Sequence, residues 1–304
     1  MTEFAADPKP ASTVVVMRDG HDGARGSGAP DIFMVRRHER TAFMGGAQVF
    51  PGGRVDANDA DGDESWCDGL DHAVEQLPGM PRAEAIAYHV AAARELFEEA
   101  GVLLARRAGG SSGRGNFVSL GDPGDTSAHD RFRQYRFDVH SHVATFAGLV
   151  RREGLRLALD ALVLFAHWVT PPIDTRQFDT RFFLTRVPPE QTPAHDETET
   201  TDSTWVTAAA AIAQAEAGAI VLPPPTWTSL RELEPFRTVD DAIAWARRRK
   251  VTRRQPLMID GDGVRMLVIP GDPLHPEPAA GDVPRETRFV TVDRRRWRAE
   301  RGRT

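Results

Sequence analysis

The sequence predicts an α/β protein in which short strands and helices alternate irregularly along the chain. Apolar and β-branched runs at 13–17, 32–35, 162–169 and 181–186 are typical of strands. The segment 82–100 has apolar residues at helical spacing and is followed by Gly101, a residue that favours helix ends. The two patterns together predict that the chain forms both strands and helices.

The other segments add elements around this framework. Residues 48–53 predict a strand that ends in a tight Pro-Gly-Gly loop. Residues 56–81 are acidic and rich in Gly and Asp, so we predict an inserted loop there. Pro223-Pro224-Pro225 is expected to interrupt the chain. Further helices are predicted at 141–152, 207–217 and 240–249, and a hairpin at 257–269.

The composition is that of an ordinary globular protein that does not coat nucleic acid. Hydrophobic residues make up 40% of the chain, and the formal net charge is −6, whereas nucleic-acid-binding proteins present a basic surface. The single Cys67 excludes an internal disulfide and a thiolate metal cluster. The chain has neither a secretory signal pattern nor a run of roughly 18 apolar residues. We expect a cytoplasmic protein with no nucleic-acid or membrane partner.

The helix at 82–100 concentrates its acidic residues on one side. Its apolar stripe is formed by Ile86, Val90, Ala93, Phe97 and Ala100. Glu95, Glu98 and Glu99 lie opposite this stripe at i, i+3 and i+4 spacing, so their carboxylates converge. Arg94 can pair with Glu98 but cannot neutralise all three carboxylates. A bound Mg²⁺ or Mn²⁺, which prefer oxygen ligands, is therefore predicted; the alternative is a solvated acidic face with one Arg–Glu pair.

These residues resemble a known family motif. The segment Arg94-Glu95-Leu96-Phe97-Glu98-Glu99-Ala100-Gly101-Val102 resembles the second half of the Nudix box, G-x5-E-x7-R-E-U-x-E-E-x-G-U, in which U is aliphatic. Phe50-Pro51-Gly52-Gly53 resembles the loop that opens the box. The resemblance implies an α/β/α sandwich with a mixed sheet, dependence on Mg²⁺ or Mn²⁺, and hydrolysis of a diphosphate linkage in a nucleotide-containing substrate.

The resemblance also implies a role for each motif position. Glu98 and Glu99 correspond to metal ligands, Glu95 to the general base or a further ligand, and Gly53 to a backbone carbonyl that contacts the metal. Arg94 corresponds to the residue that orients the glutamates. The catalytic residues expected from this correspondence are Glu95, Arg94 and Glu98.

The spacing departs from the motif because an insert splits the box. Forty residues separate Gly53 from Arg94, whereas thirteen separate the same positions of an uninterrupted box. Counted from Gly53, the first acid of the box falls on Asp59; counted back from Arg94, it falls on Ile86, which is not acidic. Which residue replaces that glutamate stays open from the sequence alone.

The expected domain organisation follows from these boundaries. Residues 1–10 are predicted to form a flexible tail, 11–236 a Nudix hydrolase domain with an insert at about 56–81, and 237–304 a C-terminal extension packed on that domain. Oligomeric state is not predicted by any of these patterns.

A split box of this kind is similar to the Nudix subgroup that includes a mammalian peroxisomal coenzyme A diphosphatase. The segments 168–171, Trp-Val-Thr-Pro, and 178–183, Phe-Asp-Thr-Arg-Phe-Phe, add to the likeness. The resemblance implies coenzyme A or an acyl-coenzyme A as substrate. ADP-ribose or NADH is the alternative substrate, and a Nudix-fold module that senses a nucleotide without cleaving it is the alternative from another class.

Three further residues are candidates outside the motif. Glu199 lies six residues before Trp205, where Nudix proteins often place another metal-binding acid, although a solvated acidic loop is the simpler interpretation. Arg36 and Arg37 follow a predicted strand and are candidates for contacts with substrate phosphates, since guanidinium groups bind phosphate in a bidentate manner. Surface ion pairs are the alternative for both arginines.

Overall fold

A computed structural model describes residues 7–20, 28–40, 44–108, 117–120, 126–172, 176–196, 200–261, 264–293 and 296–302. In chain order the strands are β1 (Lys9–Arg18), β2 (Asp31–Arg37), β3 (Gln48–Val49), β4 (Gly52–Arg54), β5 (Cys67–Asp68), β6 (Ala105–Arg107), β7 (Leu155–Ala158), β8 (Val163–Val169), β9 (Phe178–Arg186), β10 (Thr200–Thr207), β11 (Arg253–Arg254), β12 (Leu257–Gly261), β13 (Val264–Val268), β14 (Arg288–Thr291) and β15 (Trp297–Glu300). The helices are α1 (Leu70–Gln76), α2 (Arg82–Ala100), α3 (Thr126–His140), α4 (Phe146–Arg152), α5 (Ala208–Glu216), α6 (Pro224–Leu233) and α7 (Val239–Arg248).

An eight-stranded mixed sheet organises the protein. Its strand order is β10-β2-β1-β9-β8-β11, with β3 added to β2 and β4 added to β1. The central pair, β1 and β9, is parallel, whereas β1 is antiparallel to β2 and to β4. A three-stranded sheet, β5-β7-β6, and a four-stranded sheet, β12-β13-β14-β15, lie outside this path.

Helices cover both faces of the central sheet, as the alternation of side chains along β1 requires. Val14 and Val16 enter a core shared with α1, α2, α3 and α4. Val15 and Met17, which point to the other face, enter a core shared with α5, α6 and α7. The expectation of an α/β/α sandwich with a mixed sheet is confirmed.

Several predicted elements are confirmed, and the exceptions have local causes. Helix α2 has the predicted bounds and ends at Gly101, whose φ of 67° is a left-handed conformation that glycine adopts without strain. The three prolines stand at the break between α5 and α6, and Pro224 is the first residue of α6, where proline is tolerated. The helix predicted at 141–152 begins only at Phe146, after the Thr145 cap. Helix α3 was not predicted, since it is predominantly polar.

The insert at 56–81 is not the irregular loop that its composition predicts. It contains a 3₁₀ turn at Ala57–Asp61, strand β5 and helix α1. Trp66 and Cys67 are each only 1% exposed, and Cys67 pairs with Leu157 of β7. These contacts join residues that are far apart in sequence, so local composition carries no signal for them. The insert is a packed part of the first core.

The two ends of the chain also join the main body. Strand β1 begins at Lys9, inside the segment predicted to be a tail. In the C-terminal segment, Leu267, Ile269 and Phe289 share the second core with α7. None of the helices in the described parts of the chain combines the length and apolar character that a membrane span requires.

Trp66→Ala tests whether the insert is part of the core. The substitution removes a fully buried ring and is expected to lower the free energy of unfolding by about 3 to 5 kcal/mol, measured by chemical denaturation. Glu64→Ala, at an exposed position two residues earlier, is the matched control and should change it by less than about 0.5 kcal/mol. Equal stability of the two variants would contradict the packed insert.

Candidate active site

Helix α2 presents its acidic residues from a buried position. Almost the whole helix is enclosed, and Glu98 and Glu99 are only 6% and 7% exposed. The expected apolar stripe from Ile86 to Ala100 lies in the first core, but the opposite side does not face open solvent. Strand β4, the 3₁₀ turn at Ala57–Asp61 and helix α3 cover it. Because buried carboxylates are costly unless they are paired, this face is not a solvated acidic surface.

The Arg94 guanidinium lies at the centre of the acidic residues. Its Nη1 donates to Glu95 Oε1 and to Glu98 Oε1, both at 2.9 Å. Its Nε and Nη2 donate to the two carboxylate oxygens of Asp59 at 2.9 Å each, and Nη2 also donates to the Arg54 carbonyl at 2.8 Å. Burial alone would lower the pKa of Arg94, but these acidic partners raise it above its ordinary value. The guanidinium therefore stays charged and fixes the positions of three carboxylates.

Asp59, the acid reached by counting from Gly53, contacts Arg94. It is only 3% exposed, it accepts both hydrogen bonds of a bidentate contact with Arg94, and it also accepts the backbone N–H of Asp56. Ile86, the other position reached by counting, lies in the first core. Burial raises the pKa of Asp59, while Arg94 acts in the opposite direction. Asp59 therefore contacts Arg94 directly, although most of the insert lies between them in the chain.

The Pro-Gly-Gly loop places backbone against the acidic residues. The Gly52 N–H donates to Glu99 Oε2 at 2.9 Å, which fixes one carboxylate on the loop. A Cβ atom at Gly53 would lie 2.5 Å from Glu95 Oε1, so a larger residue there would displace the Glu95 carboxylate. β4 pairing with β1, from Thr13–Gly52 to Ala11–Arg54, holds the loop over the helix.

The chemistry of these donors fits a divalent cation. Glu95, Glu98 and Glu99 supply carboxylate oxygens, and the Gly53 backbone lies beside Glu95. Within the described residues, no group of three or more Asp, Glu, His or Cys side chains is already arranged to hold a metal ion. The reason is geometric, because Glu95 and Glu98 are directed at Arg94 and Glu99 at Gly52.

Glu95 differs electrostatically from an ordinary surface glutamate. Burial raises its pKa from 4.5 to about 8, the charges of Glu99 and Glu98 add to the effect, and Arg94 opposes it. A carboxyl group that exchanges its proton near neutral pH is suited to acid–base chemistry.

Helix α3 supplies two residues that the sequence did not identify. Arg136 Nε donates to the Glu98 carbonyl at 2.7 Å, and its Nη2 donates to the Ala194 carbonyl at 2.9 Å. His140 Nδ1 lies 3.6 Å from Glu98 Oε2. The i, i+4 spacing of Arg136 and His140 places both on one face of α3 and is the one local signal for them.

The remaining predicted residues stand apart from these contacts. Arg36 is exposed, and its Nη2 contacts Glu39 Oε1 at 2.9 Å, which is the surface pair that was the alternative. Arg37 ends β2 and pairs with Thr200 of β10. Glu199 lies outside the described residues. The nearby Asp196 accepts hydrogen bonds from the Thr200 backbone and hydroxyl, and His195 contacts Ser203.

Comparison with known proteins identifies the family. The family model described as the NUDT19 Nudix domain matches residues 70–233, more than half of the chain. The chain belongs to the Nudix hydrolase family. The matched region includes Arg94, Glu95, Glu98 and Glu99, so this Nudix hydrolase carries the second half of the box within the part that defines its family.

Individual relatives extend the likeness over most of the chain. The Nudix hydrolase is 30% identical to a Homo sapiens protein named acyl-coenzyme A diphosphatase NUDT19, over 81% of this chain and 72% of that protein. It is 24% identical to the Xenopus laevis protein of the same name, with the same coverage. A crystal structure of a Nudix hydrolase from Alicyclobacillus acidocaldarius aligns with a TM-score of 0.62 at 24% identity, covering 79% of this chain and 97% of that one, which supports the fold.

Asp59→Asn tests the pairing of Asp59 with Arg94. The neutral side chain leaves the buried guanidinium without its bidentate partner, so the free energy of unfolding should fall by about 3 kcal/mol, as measured by chemical denaturation. Asp61→Asn, at an exposed position on the same 3₁₀ turn, should have almost no effect. A small loss at Asp59 equal to that at Asp61 would show that the pair contributes nothing to the fold.

Glu95→Gln tests the raised pKa. Between pH 4.5 and pH 8 the folded protein binds the Glu95 proton more tightly than the unfolded chain, so this group's contribution to stability declines as the pH rises. In metal-free protein with chelator present, the melting temperature of Glu95→Gln relative to wild type should therefore increase from pH 5 to pH 8. Glu84→Gln, in the exposed first turn of α2, should show a constant difference. A constant difference for Glu95→Gln as well would contradict the shift.

Proposed function

We propose that this Nudix hydrolase cleaves the diphosphate linkage of coenzyme A or an acyl-coenzyme A, and that it requires Mg²⁺ or Mn²⁺. The observation that carries the proposal is the arrangement around Arg94, in which Asp59, Glu95 and Glu98 share one guanidinium beside the Gly52–Gly53 loop. The names of the NUDT19 relatives support the choice of substrate class. The products would be adenosine 3′,5′-bisphosphate and a 4′-phosphopantetheine compound.

The chain's own residues divide the work of the proposed reaction. Glu98, Glu99, Glu95 and the Gly53 carbonyl are the groups that would hold the ion. When bound there, Mg²⁺ or Mn²⁺ would offset the charge of the diphosphate and favour ionisation of water. Glu95, which Arg94 holds beside Glu98, is the residue that would take a proton from the attacking water.

Arg94 and Asp59 are positioning residues in this scheme. Arg94 Nη1 contacts both Glu95 and Glu98, so it sets the distance between the proton acceptor and a metal ligand. Asp59 offsets the charge of Arg94 and fixes the plane of the guanidinium through two parallel hydrogen bonds. Arg36 and Arg37 are proposed to meet substrate phosphates, and Glu199 is proposed as an additional metal ligand.

We also propose that the protein acts in the cytoplasm, a reducing compartment in which its cysteine stays a free thiol. Cys67 is the only cysteine of the chain and is buried beside Trp66. Burial raises the pKa of its thiol to about 12, so it stays protonated and takes no part in catalysis.

Product analysis by mass spectrometry tests the function. The protein is incubated with Mg²⁺ or Mn²⁺ and, in separate reactions, with coenzyme A, an acyl-coenzyme A, ADP-ribose and NADH. We expect metal-dependent cleavage of coenzyme A or its acyl derivative. Glu98→Gln should lower the rate by about a hundredfold or more, because it removes a charged ligand while keeping the shape of the side chain.

The matched control is Glu84→Gln, which changes the same residue type on the exposed first turn of α2 and should leave the rate unchanged. Cleavage of ADP-ribose or NADH alone would replace the proposed substrate. Metal binding without turnover of any compound would indicate a different diphosphate. Absence of both turnover and metal binding would favour a nucleotide sensor and overturn the proposal.

A further inference from the structure

A second pocket lies at the edge of the central sheet, away from the acidic residues. It has a volume of about 730 Å³, within the range of small-molecule sites, and lies between α1 and the end of α7 beside β8 and β9. None of the residues around Arg94 lines it. Gln76, which does, contacts His89 of α2 at 3.1 Å. His89 precedes Glu95 by six residues, or about 9 Å along the helix axis.

Two polar side chains of β8 and β9 line this edge pocket and have no place in the proposed reaction. Arg181 and His167 line the pocket, and both contact Asp179, with His167 Nε2 at 2.9 Å from Asp179 Oδ1. The Arg181 guanidinium lies 4.9 Å from the centre of the Tyr88 ring. These contacts hold the Arg181 and His167 side chains in place.

The rim of the edge pocket carries uncompensated positive charge. Arg247 and Lys250 line the pocket and are exposed, and neither makes an ion pair or side-chain hydrogen bond among the described residues. Two of the described acids line the pocket. Asp160 already accepts a bidentate contact from Arg106, at 2.7 and 3.0 Å, so Glu75 is the one lining acid that remains to offset the two cations. In a chain with a net charge of −6, this is a local reversal of sign.

A buried arginine beside the rim adds to the positive charge of the edge pocket. Arg249 lines the pocket, its side chain is only 4% exposed, and its Nη2 donates to Glu232 Oε1 at 2.7 Å. Glu232 also pairs with Arg254, so one carboxylate serves two guanidinium groups. The Arg249 Nη1 has no hydrogen-bond partner among the described residues. Positive charge and donor capacity therefore exceed the acceptors that the protein itself supplies.

Apolar residues complete the lining of the edge pocket. Leu77, Pro78 and Met80 follow α1 on one side, and Val251 follows α7 on the other. A cationic rim next to an apolar wall matches a ligand that joins a phosphate to a heteroaromatic ring. A free inorganic anion would leave the apolar wall unused.

We propose that the edge pocket binds a nucleotide through a phosphomonoester group, with Arg247 and Lys250 as its phosphate contacts. The nucleotide has two sources with this chemistry. It is either the phosphorylated end of the enzyme's own substrate or a separate nucleotide that binds apart from the reacting diphosphate.

Calorimetric titration with adenosine 3′,5′-bisphosphate tests the inference, with adenosine as the probe that lacks phosphate. Wild-type protein should bind the bisphosphate and not adenosine, with an affinity that falls as salt is added. The double variant Arg247→Ala/Lys250→Ala should bind about tenfold or more weakly, since two charged contacts are lost. Arg248→Ala is the matched control, because Arg248 is exposed on the same helical turn but does not line the pocket.

Three results would overturn the inference. They are equal affinity of the wild type and the double variant, equal binding of adenosine and its bisphosphate, and no binding of the bisphosphate to wild type. Melting temperatures of all variants verify that the exposed substitutions leave the fold intact.

Coenzyme A kinetics then separate the two sources. If the double variant has a raised KM for coenzyme A and an unchanged kcat, the phosphate that the edge pocket binds is part of the substrate. If the KM is unchanged but bisphosphate binding is lost, the edge pocket binds a separate nucleotide. The titration does not need turnover, so its result stands whether or not coenzyme A is the substrate.

Discussion

The Arg94 guanidinium is the interaction on which the rest of the site depends. It donates to five oxygen atoms, from Asp59, Glu95, Glu98 and the Arg54 backbone, and it does so from a position that is only 7% exposed. A charge so far from water is tolerable only when every donor is satisfied and opposite charge is close. The carboxylates in turn are tolerable there because of the guanidinium. Burial of the guanidinium or of the carboxylates alone would destabilise the fold.

This mutual dependence explains how the box tolerates an insert. In this chain an acid contacts Arg94 although the number of residues between them differs from that of an uninterrupted box. The chain supplies Asp59 from a 3₁₀ turn directly after the Pro-Gly-Gly loop, and only then departs into β5 and α1. The insert then packs into the core, where Trp66 and Cys67 are buried and Cys67 pairs with Leu157 of β7. Most of the insert therefore lies between Asp59 and Arg94, two residues that are in direct contact.

The same excursion gives the protein a second concave surface. Helix α1 comes from the insert and the Arg247–Val251 segment comes from the C-terminal part, and they face each other across the edge of β8. Residues from two segments outside the uninterrupted motif thus surround polar groups of β8 and β9. Additions to a catalytic domain commonly alter what it recognises while leaving the chemistry to the shared residues.

The sequence determined what depends on local spacing. The i, i+3 and i+4 positions of Glu95, Glu98 and Glu99, the apolar stripe of α2 and the Gly101 end follow from helical periodicity, and all are present. Alternation along β1 and β9 likewise required two covered faces. Only the tertiary structure decided four other features. They are the contact of Arg94 with Asp59 and not with Ile86, the burial of the acidic face, the contacts of Arg136 and His140 with Glu98, and the folding of the insert. The physical reason is that each of them is a contact between residues distant in sequence, whose energy depends on burial and exact partner geometry, and neither is encoded in local composition.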